Sequence, residues 1–168
     1  MNVMQKATVI FLVKEGTVLL AVKKKKVGKG RLNGFGGKPD EGETLRACAV
    51  RELFEESGEG IVVREEDLIP RARIKFFNQE NNPDIPDMEV YFYVTEKFEG
   101  AAKETNEMGM SEAYPFNEIP FDQMMSADKY FVPNILRGES LTGVVNFTKG
   151  FGISSCTFAH ADESQLEI

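Results

Sequence analysis

Apolar positions gather first into two β-rich runs, Ala7 to Val13 and Thr17 to Lys23, joined by Lys14-Glu15-Gly16, a connection short enough for a hairpin. Both are expected near the middle of a sheet. After a stretch of lysines and glycines the period changes, and from near Thr44 to Gly58 it becomes helical. Ala49, Val50, Leu53 and Phe54 then share one broad face, and Glu52, Glu55 and Glu56 crowd a narrower arc. Thr44 suits the N-cap and Gly58 the left-handed position that closes the helix. Gly60 to Val63, Arg71 to Phe77 and Met88 to Val94 read as strands, with NQENNPDIPD an exposed loop before the last of them. Tyr114 to Phe116 suggests a short strand, and FDQMMSADKYFVPNILRG a turn and then a helix broken at Pro133. Thr142 to Phe147 and Ser154 to Phe158 read as closing strands, and the tail ADESQLEI is expected to fray.

The acidic arc of the helix breaks two local rules. Like charges three and four residues apart repel, and the last turn of a helix favours cations. Only Arg51 lies nearby on the helix as a counter-charge. Oxygen-only ligands at this density suit Mg²⁺ or Mn²⁺ held partly through water and a substrate's phosphates. A solvated, Glu-rich surface would give the same letters, but rule-breaking confined to one stretch is what a functional site leaves in a sequence.

Ahead of the helix, Lys23 to Lys26 leads into VGKGRLNGFGGK, whose glycines make a backbone-exposing loop. The lysines read either as a solvated loop or as phosphate attraction, with Lys23 the candidate contact because it ends a strand. Asn33 serves equally as a turn-former beside Gly34 or as an amide that pairs with a base edge. Phe76, Phe77 and Met88 read as core residues, with the lining of a base pocket as the alternative.

Gly37, Glu43 and the run Arg51-Glu52-Leu53-Phe54-Glu55-Glu56-Ser57-Gly58 stand at the spacing of the Nudix box, and by these residues the chain resembles the Nudix hydrolases. Only Glu59 departs, standing where that family usually carries an aliphatic residue; Ile61 or Val62 is expected to take over its packing. The resemblance implies an α/β fold, a Nudix-type α/β/α sandwich with a mixed β-sheet and a loop-helix-loop that chelates metal and holds a diphosphate. RLNGFGGKPDEGET, TNEMG and IPFDQMMSADKYFVP extend the likeness to the MutT-homolog group, which hydrolyses oxidised purine nucleoside triphosphates such as 8-oxo-dGTP.

Carried over position by position, the resemblance implies a metal site of the Gly36 carbonyl, Glu52, Glu55, Glu56 and Glu107, with the three box glutamates catalytic. It implies nucleotide contacts at Thr8, Lys23, Asn33, Phe76, Met88, Met108, Asp128 and Phe147, with Asn33 and Asp128 reading the purine edge. Glu43 and Arg51 are expected to brace the box loop against its helix. Human-type members of that group carry a tryptophan and a second aspartate where this chain has Met125 and Ala127, and aromatic residues at Val27 and Leu32. A single acid accommodates fewer donor patterns than a proton-sharing pair, so a narrower base preference is expected. The expected activity is Mg²⁺-dependent release of pyrophosphate from a nucleoside triphosphate. Another nucleoside diphosphate-X substrate, such as a dinucleoside polyphosphate or ADP-ribose, and a nucleotide sensor without turnover are the alternatives.

At 168 residues the whole chain is expected to form one domain. A net charge of −7 argues against wrapping a nucleic acid polymer or an anionic membrane, and leaves a small phosphorylated substrate as the expected partner. Cys48 and Cys156 lack metal-ligand spacing and are expected as free thiols. The apolar run at the N-terminus reads as a strand rather than a leader or membrane span, which makes a cytoplasmic, monomeric protein the expectation.

Overall fold

The structure is a computed structural model that describes residues 4–78 and 88–167. Its strands are β1 (Gln5–Lys14), β2 (Thr17–Val22), β3 (Leu32–Asn33), β4 (Phe35–Gly37), β5 (Ile61–Val62), β6 (Ile69–Asn78), β7 (Met88–Thr95), β8 (Glu99–Gly100), β9 (Glu112–Pro115), β10 (Leu141–Phe147) and β11 (Ile153–His160). Two helices, α1 (Leu45–Glu56) and α2 (Val132–Leu136), are joined by short 3₁₀ turns. Except for Asn78, which ends β6, the loop read in NQENNPDIPD lies outside the described residues.

Nine strands form one mixed sheet, in the order β11-β10-β6-β7-β1-β2-β3, with β4 also on β1 and β9 on β2. The β1–β7 and β6–β10 pairs are parallel, and the remaining pairs are antiparallel. β1 is therefore central, as the apolar pattern suggests. Alternation along it sends Phe11 and Val13 to one face, with Phe131, Val132 and Ile135 around α2, and Ile10 and Leu12 to the other, with Ala49 and Leu53 of α1. The fold expected from the resemblance, a mixed sheet between helices, is the fold observed.

Thr44 caps α1 by accepting from the Ala47 N–H at 3.1 Å. At the other end Gly58 (φ 71°) and Glu59 (φ 60°) are left-handed, and their N–H groups return to Glu55 and Phe54 carbonyls at 3.1 and 2.8 Å. This is the Schellman closure. Glu59 is thus spent on backbone geometry. Ile61, fully buried beside Leu53, supplies the apolar contact, whereas Val62 faces solvent.

Three expectations need correction. Phe54 is 38% exposed, and Cys48, six residues earlier, is buried on α1 with Ala49 and Leu53. Pro133 does not break a helix: it sits in the first turn of α2, where its missing N–H has no intrahelical partner to lose. The tail does not fray, because Leu166 is buried and Glu167 receives both arms of the Arg46 guanidinium, at 2.7 and 3.1 Å. The sequence there shows only a polar terminus, because the partner lies 121 residues away.

Candidate active site

Two glycines allow close approaches at the site, Gly36 of β4 to β1 and Gly37 to α1. A Cβ at Gly36 would fall on the Thr8 carbonyl of β1, and one at Gly37 would stand 2.6 Å from both carboxylate oxygens of Glu52. With both side chains absent, the Gly36 N–H donates to Glu56 Oε1 at 2.8 Å and fixes that carboxylate against β4. Glu107 arrives from the segment antiparallel to the end of β2. There Lys24 N–H donates to Glu107 O at 2.8 Å, Gly109 N–H donates to Val22 O at 2.9 Å, and Lys23 bridges to Met108. Thr105 Oγ1 accepts from the Glu107 and Met108 N–H groups, at 3.1 and 3.0 Å, and turns the chain there.

The result is a trio. Glu52, Glu56 and Glu107 each offer a carboxylate oxygen within 4.8 Å of the others. Burial pushes Glu56 up to about 7 against the pull of the Gly36 N–H and Lys23, and burial also raises Glu52 against the pull of Arg51. Lys23 is pushed down by burial although it faces Glu56 and Glu107. Three carboxylates packed this closely, one buried and two half-buried, fit a divalent cation of the hard, oxygen-seeking kind.

Glu55 stands apart. Its side chain is 56% exposed and lies 3.2 Å from Arg51, so the structure does not bring it into the trio with Glu52 and Glu56. Arg51 performs the bracing expected of it: Nε and Nη2 each meet the Glu43 carboxylate at 2.8 Å, and Nη2 also donates to the Lys38 carbonyl. This clamp holds Glu43 down to about 2.

A cleft of about 240 Å³ opens from Glu56 and Glu107. Gly36, Glu56, Glu107, Lys23, Lys25 and Lys26 line its charged end. Phe76, Met88 and Phe147 line it with Phe92, Met125 and Phe151, and Thr8, Asn33 and Asp128 add polar groups. Phe76 stacks on Phe147 with centroids 5.7 Å apart, and Phe151 meets Phe147 edge-on at 5.4 Å. Asn33 Oδ1 accepts from the Gly34 N–H at 2.8 Å, which directs its amide nitrogen to other partners. The turn-forming and edge-pairing readings of Asn33 are therefore compatible. Asp128 is buried, and burial pushes its carboxyl up to about 7 against Met125 and Arg31.

Met108 is the one expected nucleotide contact that does not line the cleft. Its side chain is fully buried with Ile10, Ala49 and Leu53 on the α1 side, because pairing of its backbone with Lys23 turns it there. Phe151 also lines the cleft, at a position outside the strands that the sequence pattern predicts. Its backbone is left-handed (φ 66°), which brings the ring onto Phe147. Cys48 is buried, with its thiol raised to about 11 by burial, and Cys156 is also free, as the spacing suggests. A thiolate nucleophile at Cys48 is therefore unsupported.

Residues 4–135 match the model of the NUDIX domain. The chain belongs to the NUDIX family. It is similar to the oxidized purine nucleoside triphosphate hydrolase of Danio rerio, at 34% identity over 140 residues, covering 83% of this chain and 85% of that one. The protein of the same name from Mus musculus is 31% identical over 155 residues, 92% and 94% of the two chains. Among solved structures, a MutT protein from Bacillus halodurans superposes with a TM-score of 0.74 at 21% identity, covering 92% of this chain and 97% of that one. The protein is a NUDIX hydrolase with a MutT-like fold, a family that acts on small nucleotide substrates and generally uses divalent metal ions.

Proposed function

We propose that this NUDIX hydrolase cleaves purine nucleoside triphosphates of the oxidised, guanine-like kind to the nucleoside monophosphate and pyrophosphate, with Mg²⁺ or Mn²⁺ as cofactor. The observation that carries this reading is the cleft that joins Glu56 and Glu107, which stand in one carboxylate trio with Glu52, to an aromatic slot that contains Asn33 and Asp128. The names of the Danio rerio and Mus musculus relatives support the same substrate class.

Glu52, Glu56, Glu107 and the Gly36 carbonyl would hold the metal. A divalent cation there supplies charge neutralisation on the phosphate oxygens and acidifies water. Lys23 binds phosphate from the strand end, and Glu52 or Glu56 takes the proton from the attacking water. Phe76, Phe147 and Met88 take the faces of the base. The Asn33 amide donates to the base edge, while the Asp128 carboxylate accepts from the ring N–H and exocyclic amino group of a guanine-like base.

Ala127 is fully buried beside Asp128, and the acid neighbouring it in human-type members is missing here. One acid serves one donor pattern, so this chain prefers guanine-like over adenine-like bases. A panel of 8-oxo-dGTP, 2-oxo-dATP and dGTP tests this reading by comparison of kcat/KM. The expected order has 8-oxo-dGTP first; equal values for all three would overturn the base assignment, and turnover confined to a dinucleoside polyphosphate or ADP-ribose would move the substrate class.

A further inference from the structure

The loop between β2 and β3 passes through three left-handed positions, Lys26 (φ 64°), Gly28 (φ 84°) and Gly30 (φ 86°). Two are glycines, which adopt this region freely, and the third is a lysine, whose Cβ crowds the backbone there. The conformation is imposed by loop closure: Lys29 N–H donates to Lys26 O at 3.2 Å, Gly30 N–H to Lys23 O at 2.7 Å, and Arg31 N–H to Gly28 O at 2.9 Å. Glycine would be the unstrained choice at position 26. A side chain kept against the preference of its backbone directs attention to what that side chain does.

The lysines of this run have different surroundings. Lys23 is half-buried, in the field of Glu56, Glu107 and Glu52. Lys24 is engaged elsewhere, donating to the Thr105 carbonyl at 2.7 Å and pairing with Glu104 at 3.4 Å. Lys25 and Lys26 line the cleft, and neither makes a hydrogen bond or ion pair to a side chain among the described residues. Lys26 shares the lining of the cleft with Lys23, Glu56 and Glu107. Two ammonium groups held near each other repel until an anion joins them.

We propose that Lys26 is a substrate-binding residue that holds an outer phosphate of the polyphosphate chain, and that its left-handed backbone is the strain retained to aim it. The inference rests on the reading of this cleft as a nucleotide site, but it concerns the phosphate end alone. In a chain of net charge −7 a local cation is also what admits a multiply charged anion.

Lys26→Gly separates binding from folding, because it removes the ammonium while relieving the backbone. Titration calorimetry with inorganic pyrophosphate and Mg²⁺ supplies a probe that carries no base. The expected result is a roughly tenfold weaker Kd for Lys26→Gly, with a Tm equal to or above that of the native chain. Lys26→Arg should restore the Kd to within about twofold, and Lys29→Gly, which removes a loop lysine outside the cleft, should leave it unchanged. In turnover, KM for the triphosphate should rise about as much as Kd, with kcat within about twofold. Pyrophosphate that fails to bind the native chain, binds Lys26→Gly equally well, or is weakened as much by Lys29→Gly overturns the proposal. Failure of the base assignment would appear differently, as normal pyrophosphate binding without preference in the substrate panel.

Discussion

Glu52 occupies the space that a side chain at Gly37 would fill, with both of its carboxylate oxygens 2.6 Å from where a Cβ would stand. The spacing between the two residues therefore expresses packing as well as chemistry. The glycine makes room for the glutamate, and the helix delivers the glutamate to the trio with Glu56 and Glu107.

Gly37→Ala should consequently displace the Glu52 carboxylate while leaving most of the core intact. A loss of about 10²-fold in kcat/KM is expected, the order associated with misplacing a reacting group by about an ångström. The check is steady-state kinetics beside a melting curve; loss of activity only in proportion to unfolded protein would contradict this account.

Glu55 and Glu56 are neighbours in sequence and opposites in structure, one exposed beside Arg51 and the other buried under the Gly36 N–H. Glu56→Gln is expected to lower kcat by about 10³-fold, and Glu55→Gln by no more than about tenfold, since an exposed ion pair contributes little. Titration of Mn²⁺ into each variant gives an independent readout, with affinity lost in the first and largely kept in the second.

Asp128 should make the unliganded protein less stable as pH rises. Its carboxyl is raised from the ordinary 3.8 to about 7, so its favourable contribution is complete below 3.8 and is lost as pH climbs through about 7. Asp128→Asn keeps the shape of the neutral acid and removes the titration. Urea unfolding should show the variant gaining on the native chain between pH 4 and pH 8, by at most about 4 kcal/mol. A difference that does not change with pH would mean that the buried carboxyl pays no such penalty.

The docked tail should contribute measurably to stability. Leu166→Ala empties a buried site and is expected to cost about 2–3 kcal/mol, and Glu167→Gln, at a partly exposed pair, less than about 1 kcal/mol. Denaturant midpoints at constant m-value would show both. An unaffected Leu166→Ala variant would mean that the tail is loose in solution.

Local signals carried much of this structure. The hairpin of β1 and β2, the cap at Thr44 and the left-handed Gly58 depend on neighbours a few residues away, and they were legible. The separation of Glu55 from Glu52 and Glu56 was not, because all three share one arc of the helix and only the position of β4 decides which is buried. Met108 and Glu107 are adjacent, yet the antiparallel bridge to Lys23 accompanies opposite fates for them, one in the α1-side core and the other in the cleft. Leu166 and Phe151 depend on partners distant in the chain or on an unusual φ, neither of which leaves a mark in composition. The residues that line the cleft come from at least eight separated stretches, so the resemblance to a known box, rather than periodicity, brought most of them into view.

The central claim is that the carboxylate trio of Glu52, Glu56 and Glu107 performs phosphate chemistry on a purine held in the adjoining cleft. Its most direct test is pyrophosphate release from 8-oxo-dGTP and dGTP side by side in Mg²⁺, with Glu56→Gln as the blank. The account predicts rapid release from 8-oxo-dGTP, slower release from dGTP, and neither above background in the variant. Release that survives in Glu56→Gln, or that is absent from both nucleotides in the native protein, would contradict it.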